Sequence, residues 1–195
     1  GWDDHNPQPP DLNMGVWRDV YLTSSGPVLL RHPYVATKLD LPSLDTAHLT
    51  ASVQVTNLTD KRMAATLTGT IEDIKFSQAV ELEPNEQRWV FFTPGQFPQL
   101  EIKNPRVWWP NPLGRQELYR IELVAEAGGI VSDTDGTRFG IREATTYINK
   151  EGWRGYSVNG KDVLIRGGAW MTNDMLLRFT HKRDEALVRY AREAN

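Results

Sequence analysis

Over residues 49–57 every second residue is apolar: Leu49, Ala51, Val53 and Val55 fall on one side, Thr50, Ser52, Gln54 and Thr56 on the other. A period of two is that of an extended chain whose side chains point alternately to opposite faces, so this segment reads as a half-buried strand. The same rhythm returns over 63–71, 74–82, 88–93 and 118–125. Asn57-Leu58-Thr59-Asp60, Glu83-Pro84-Asn85-Glu86 and Gly128-Gly129 break it with turn chemistry. Short strands at regular spacing constrain the chain to an antiparallel sandwich, and residues 34–140 suffice for one immunoglobulin-like unit. The 195 residues contain no Cys, so such a unit lacks the disulfide of antibody domains and its core rests on packing alone.

The flanks differ in character. His5-Asn6-Pro7-Gln8-Pro9-Pro10-Asp11 reads as a loop, because each Pro fixes its own φ and pushes its predecessor into the extended region. After residue 140, 155–158 and 162–166 flank Asn159-Gly160, a pair that tolerates positive φ at both central positions and favours a tight hairpin. Gly167-Gly168 follows, and Thr180 stands where it caps a helix from His181 that shows Leu187, Tyr190 and Ala191 on one side. A strand, a Gly-rich loop and a capped helix open a β/α unit, an architecture distinct from the sandwich before it.

Several function classes are disfavoured on composition and spacing. The balance of 22 basic and 25 acidic residues, net charge -3, leaves no electrostatic footprint for nucleic acid or an anionic membrane surface. No apolar run approaches the ~18 residues of a membrane-spanning helix, and the first residues lack the cationic start and apolar centre of a secretory signal. His5, His32, His48 and His181 are too scattered for a His pair, so no metal or other cofactor is expected. There is no Gly-x-Ser-x-Gly elbow and no phosphate-loop Lys. Seven Trp are spread along the chain. Each is either core material or a flat apolar platform of the kind that meets sugar rings.

The order of motifs narrows the reading. Asn13-Met14-Gly15-Val16-Trp17-Arg18-Asp19-Val20-Tyr21-Leu22 comes first, then Val107-Trp108-Trp109-Pro110-Asn111-Pro112-Leu113-Gly114-Arg115. Arg138-Phe139-Gly140-Ile141-Arg142 follows, and Val158-Asn159-Gly160-Lys161 with Ile165-Arg166-Gly167-Gly168 ends the series. Together they resemble glycoside hydrolase family 2. Within it, Trp2-Asp3 and the run from Gly167 to Arg178 look most like the branch of β-mannosidase, endo-β-mannosidase and exo-β-D-glucosaminidase. Ala169 and Met171 stand where the galactosidase and glucuronidase branch has Asn and His, which argues against that branch.

The resemblance implies three parts: residues 1–33 as the end of a sugar-binding jelly roll, 34–140 as the immunoglobulin-like sandwich, and 141–195 as the truncated start of a (β/α)8 catalytic barrel. It implies that Asp3 hydrogen-bonds the terminal sugar with Trp2 beside it, and that Trp170 and Asp174 line the same pocket. Trp108-Trp109-Pro110 reads as a rigid structural segment. The family's general acid/base lies in an Asn-Glu pair. Here the one such pair, Asn85-Glu86, follows Pro84 in an expected turn, so no catalytic residue is assigned. The expectation is a non-catalytic fragment of a retaining hydrolase acting on β-mannosides or β-glucosaminides, in which the sandwich positions the sugar-binding domain against the barrel. Its partners would be β-linked mannose or glucosamine termini and the other domains of the parent, and a secreted or periplasmic parent is favoured. The alternative is a carbohydrate-binding β-sandwich module without hydrolase activity.

Overall fold

The computed structural model describes residue 16 and residues 19–111, 113–168 and 180–194. The chain divides into two compact units, Ser24–Ile165 and the two ends Gly1–Thr23 with Arg166–Asn195.

The larger unit is mainly β and antiparallel. β1 (Val28–Leu39), β2 (Thr46–Asn57), β5 (Gln87–Phe92) and β6 (Glu101–Lys103) make one sheet, in which β5 and β6 pair with successive stretches of the same edge of β2. β3 (Met63–Ile71), β4 (Ile74–Leu82), β7 (Tyr119–Ala127) and β8 (Ile130–Phe139) make the second, in the order β4-β3-β7-β8. The two sheets form an immunoglobulin-like sandwich. Its core takes the alternate residues read from the sequence: Leu49, Ala51, Val53 and Val55 are fully buried and join Leu67, Ile71, Leu82, Ile121 and Leu123 in one cluster. At one end Phe76, Phe92 and Phe97 pack with ring centroids 4.9–5.9 Å apart. Gly69 makes room for this, since a Cβ there would lie 2.2 Å from the Phe76 ring.

β3 and β4 coincide with the strands read from periodicity, and β2, β5 and β7 agree within a few residues. β1 and β8 were not legible. β1 holds Pro33 and His32 at φ 57, and its register with β2 shifts between Arg31 and Tyr34, so a bulge breaks the alternation where the Pro sits. β8 carries Asp133, Asp135 and Gly136, poor strand formers that extend because β7 pairs with them, while Ser132 falls at the register shift opposite Ala125 and Glu126 and has no ladder partner.

A third sheet, β11-β10-β9, follows within the same compact unit: β9 (Ala144–Ile148), β10 (Arg154–Val158) and β11 (Lys161–Asp162). Asn159 and Gly160 turn between β10 and β11 at φ 52 and 76, as the pair predicts. The second arm is shorter than expected. One bond beyond β11, from Val163 N–H to the Tyr156 carbonyl at 2.9 Å, ends the pairing, and Leu164 and Ile165 are exposed. In the other unit α1 (His181–Glu193) begins where the sequence places it, with the Thr180 hydroxyl accepting from Arg183 N–H. No described helix is long and apolar enough to cross a membrane.

Candidate functional site

Trp2, Asp3, Trp170 and Asp174, the residues expected to meet sugar, lie outside the described residues. Asn85-Glu86 is described and is a turn. Asn85 has φ 56, and the Glu86 carboxylate accepts from Glu83 N–H at 2.7 Å, tying the β4–β5 connection. Among the described residues no cluster of His, Asp and Glu has metal-holding geometry. His48 does stand between two carboxylates, 3.0 Å from Asp40 and 3.4 Å from Glu101.

The densest polar arrangement surrounds Trp108 and Trp109. Trp108 N–H donates to the Ile141 carbonyl at 2.9 Å, beside a parallel bridge between Val107 and Ile141. Gly140 is required there, because a Cβ would come within 2.8 Å of Trp108. The Arg142 guanidinium lies 4.3 Å over the Trp108 ring and the Lys161 ammonium 4.9 Å over Trp109. The Trp109 carbonyl accepts from Gln116, whose amide also holds the Gly114 carbonyl.

Asn159 closes this joint. It is buried, its Nδ2 donates to the Trp108 carbonyl at 2.9 Å, and its Oδ1 accepts from Glu143 N–H at 2.9 Å. Its own N–H donates to the Glu143 carbonyl, while the Glu143 carboxylate accepts from Leu39 N–H at 3.0 Å. One side chain therefore ties the hairpin turn to the loop between β6 and β7 and, through Glu143, to β1. The sequence showed Asn159 as a turn former and Trp108 as structural. Their pairing spans 51 positions and has no local signal.

The hairpin sheet has a second tie. Gly155 lets the Tyr147 ring cross β10, where a Cβ would fall 2.3 Å from it, and the Tyr147 hydroxyl donates to Asp162. The neighbouring carboxylate raises the phenol above its ordinary range. On the sandwich, Arg106 pairs with Glu72 and lies 4.3 Å over the Tyr119 ring, whose hydroxyl accepts from Arg106 N–H. The hydrogen bond from the guanidinium lowers the Glu72 pKa.

A different chemistry occupies the outer face of the first sheet. Tyr34, Trp89 and Phe91 are 62%, 45% and 52% exposed. Tyr34 and Phe91 both sit opposite Ser52, on either side of it, and Trp89 sits opposite Gln54. Three rings thus flank a row of neutral hydroxyl and amide groups.

Comparison with known proteins follows the same lines. The family model for glycosyl hydrolases family 2 matches residues 28–142, from the start of β1 to just past β8. An exo-β-D-glucosaminidase of Streptomyces avermitilis is 44% identical over 98% of the chain and 21% of its own length. A mannosylglycoprotein endo-β-mannosidase of Lilium longiflorum is 32% identical over the whole chain and 21% of its own length. The crystal structure of the exo-chitosanase CsxA of Amycolatopsis orientalis superposes with a TM-score of 0.82 at 37% identity, covering 94% of this chain and 21% of that one. The chain spans about a fifth of the length of these relatives.

Proposed function

This chain belongs to glycosyl hydrolases family 2, and on that premise we propose that it is the non-catalytic, positioning part of an exo-β-D-glucosaminidase. The observation that supports the substrate class is that exo-β-D-glucosaminidases match at 32–44% identity over nearly the whole chain, against 32% for an endo-mannosidase and 27% for β-mannosidase B. In this reading the parent is a retaining hydrolase whose two catalytic carboxylates lie elsewhere in its sequence, one attacking the anomeric carbon and one protonating the leaving oxygen. The sandwich sets the angle at which flanking segments meet. The clasp at Trp108 and Asn159 supports this, because it makes the hairpin sheet ride with the sandwich as one piece. Trp2 and Asp3 on one flank and Trp170 and Asp174 on the other would then line the sugar pocket, with a carboxylate accepting two hydroxyls to orient the ring.

The test compares the 195-residue chain with the parent on p-nitrophenyl β-D-glucosaminide and p-nitrophenyl β-mannoside. The chain alone is expected to be inactive, and the parent to favour the glucosaminide. Turnover by the chain alone, or a parent preference for mannoside, overturns the proposal. The outer-face rings favour a second reading, a sugar-binding module. Calorimetric titration of the chain with a glucosamine oligomer separates the two, since only a module binds it.

A further inference from the structure

Apolar side chains are exposed over the hairpin sheet and its exit. Tyr147, Ile148, Trp153, Tyr156, Leu164 and Ile165 are each between 39% and 80% exposed. They are neighbours in the register: Tyr147 sits opposite Gly155, Ile148 opposite Arg154 and Tyr156 opposite Thr146. The bond from Val163 N–H to the Tyr156 carbonyl carries the exit segment with Leu164 along the same sheet. Exposed apolar residues scattered singly are ordinary, but six on one small sheet make a patch of the kind that marks an interaction surface.

Both faces contribute. Successive residues of a strand point to opposite faces, so Tyr147 lies on one face and Ile148 on the other, with Tyr156 sharing the face of Ile148 through its partner Thr146. A strand with one wet side alternates apolar with polar, and Tyr147-Ile148 breaks that rule. A two-sided apolar end is complemented by a groove that receives it, not by a flat surface.

The loop at this end is held in one shape. Asn149 N–H donates to the Trp153 carbonyl at 2.8 Å, and the Asn149 side-chain oxygen accepts from Trp153 N–H at 2.8 Å and from Glu151 N–H at 3.1 Å. Gly152 takes φ 83 and donates to the Asn149 carbonyl at 3.0 Å. These bonds hold Trp153 in place with 71% of its surface exposed. A large ring ordered before contact loses little entropy on association, and Trp is among the residues that anchor protein interfaces.

The patch selects a protein partner. Ile148, Leu164 and Ile165 are aliphatic and offer a sugar neither a flat ring nor a hydrogen bond, unlike the outer face of the first sheet, where rings flank Ser52 and Gln54. We infer that the Trp153 end of the hairpin sheet inserts into an apolar groove on the catalytic part of the parent, with Trp153 as its anchor. About four-fifths of each relative lies outside the matched stretch, which leaves ample polypeptide to form that groove. The opposite end of β10 is fixed to the sandwich by Asn159, so a contact at Trp153 transmits the orientation of the sandwich to the catalytic part. This rests on the reading of the chain as the positioning part of a longer hydrolase.

The test is hydroxyl-radical oxidation of side chains, resolved by peptide mass spectrometry, in the parent and in the 195-residue chain. Trp153 is expected to oxidise at least about fivefold more slowly in the parent, as a desolvated anchor does, and Tyr147 and Tyr156 on the two faces should both be protected. Ile148→Glu in the parent should return Trp153 to the rate of the chain and Ile148→Val should not, with Trp108 in the clasp unchanged as a control on folding. The same Ile148→Glu change in the chain alone should leave its melting temperature unaltered. Equal oxidation in parent and chain overturns the proposal, as does protection of one face only. Protection that grows with protein concentration would assign the patch to a second copy, and protection that needs a glucosamine oligomer would assign it to sugar; either overturns it. Turnover of p-nitrophenyl β-D-glucosaminide by the same parent preparation is read separately, so a parent protected at Trp153 but inactive on that substrate counts against the proposed function alone.

Discussion

The sandwich and the hairpin sheet are both antiparallel and adjacent in sequence, yet different forces hold them. β2 is closed on both sides by partners and buries an entire face, whereas all five residues of β9 are exposed and Ile148 is 60% exposed. A small sheet without a buried face is marginal by itself. The hairpin sheet persists through a few specific ties: the Asn159 clasp, the Tyr147–Asp162 hydrogen bond and the two cations over Trp108 and Trp109. Hydrophobic burial sets the stability of the first region, and polar geometry sets the attachment of the second.

The largest effect should come from the shared core. Leu123→Ala removes a side chain 1% exposed and is expected to cost about 3 kcal/mol, lowering the melting temperature by roughly 10 °C in calorimetry. Ile148→Ala in β9 should change it by less than about 0.5 kcal/mol. If both cost the same, the contrast between the regions fails.

Next in size is the clasp. Asn159→Gly keeps a residue that accepts φ 52 and removes only the side chain, leaving the Trp108 carbonyl and Glu143 N–H without their partner. The expected cost is about 2 kcal/mol, felt locally. Amides of β10 and β11 should exchange about 30-fold faster while those of β2 and β3 do not change. Uniform acceleration across both regions would show that the hairpin sheet is part of the same cooperative unit as the sandwich.

The same contrast explains what was legible in the sequence. Strands that bury one face announce themselves by period two, so β3 and β4 were placed to the residue and Leu49, Val53 and Val55 were placed in the core. β1 escaped because its bulge at His32-Pro33 breaks that period, and β8 because its pairing comes from β7 and not from its own side chains. Turn chemistry was legible at Asn159-Gly160, since both φ requirements are local. The clasp was not, because the partners of Asn159 lie 16 and 51 positions away and nothing in either segment encodes the meeting. The expectation that Trp2, Asp3, Trp170 and Asp174 meet sugar came from family resemblance alone, and these four lie outside the described residues.

The smallest effects separate the regions by pH. On the sandwich, the Arg106 hydrogen bond depresses the Glu72 pKa, so the ion pair stabilises fully above the ordinary carboxylate range and its contribution fades as pH falls through the lowered folded value. Both groups are more than two-fifths exposed, and solvent screening limits the pair to well under about 1 kcal/mol. Glu72→Gln should therefore lower the melting temperature slightly at neutral pH and leave it unchanged in acid. In the hairpin sheet the sign is reversed. The Tyr147 phenol is raised by its hydrogen bond to Asp162, so that tie is intact below the ordinary phenol range and is lost as pH rises through the folded value. Trp153, in the loop between β9 and β10, reports on it by fluorescence. A transition in alkali is expected in the unaltered protein and should vanish in Tyr147→Phe. If Glu72→Gln and Tyr147→Phe shift stability on the same side of neutrality, the two sheets are not held by the separate ties that distinguish them.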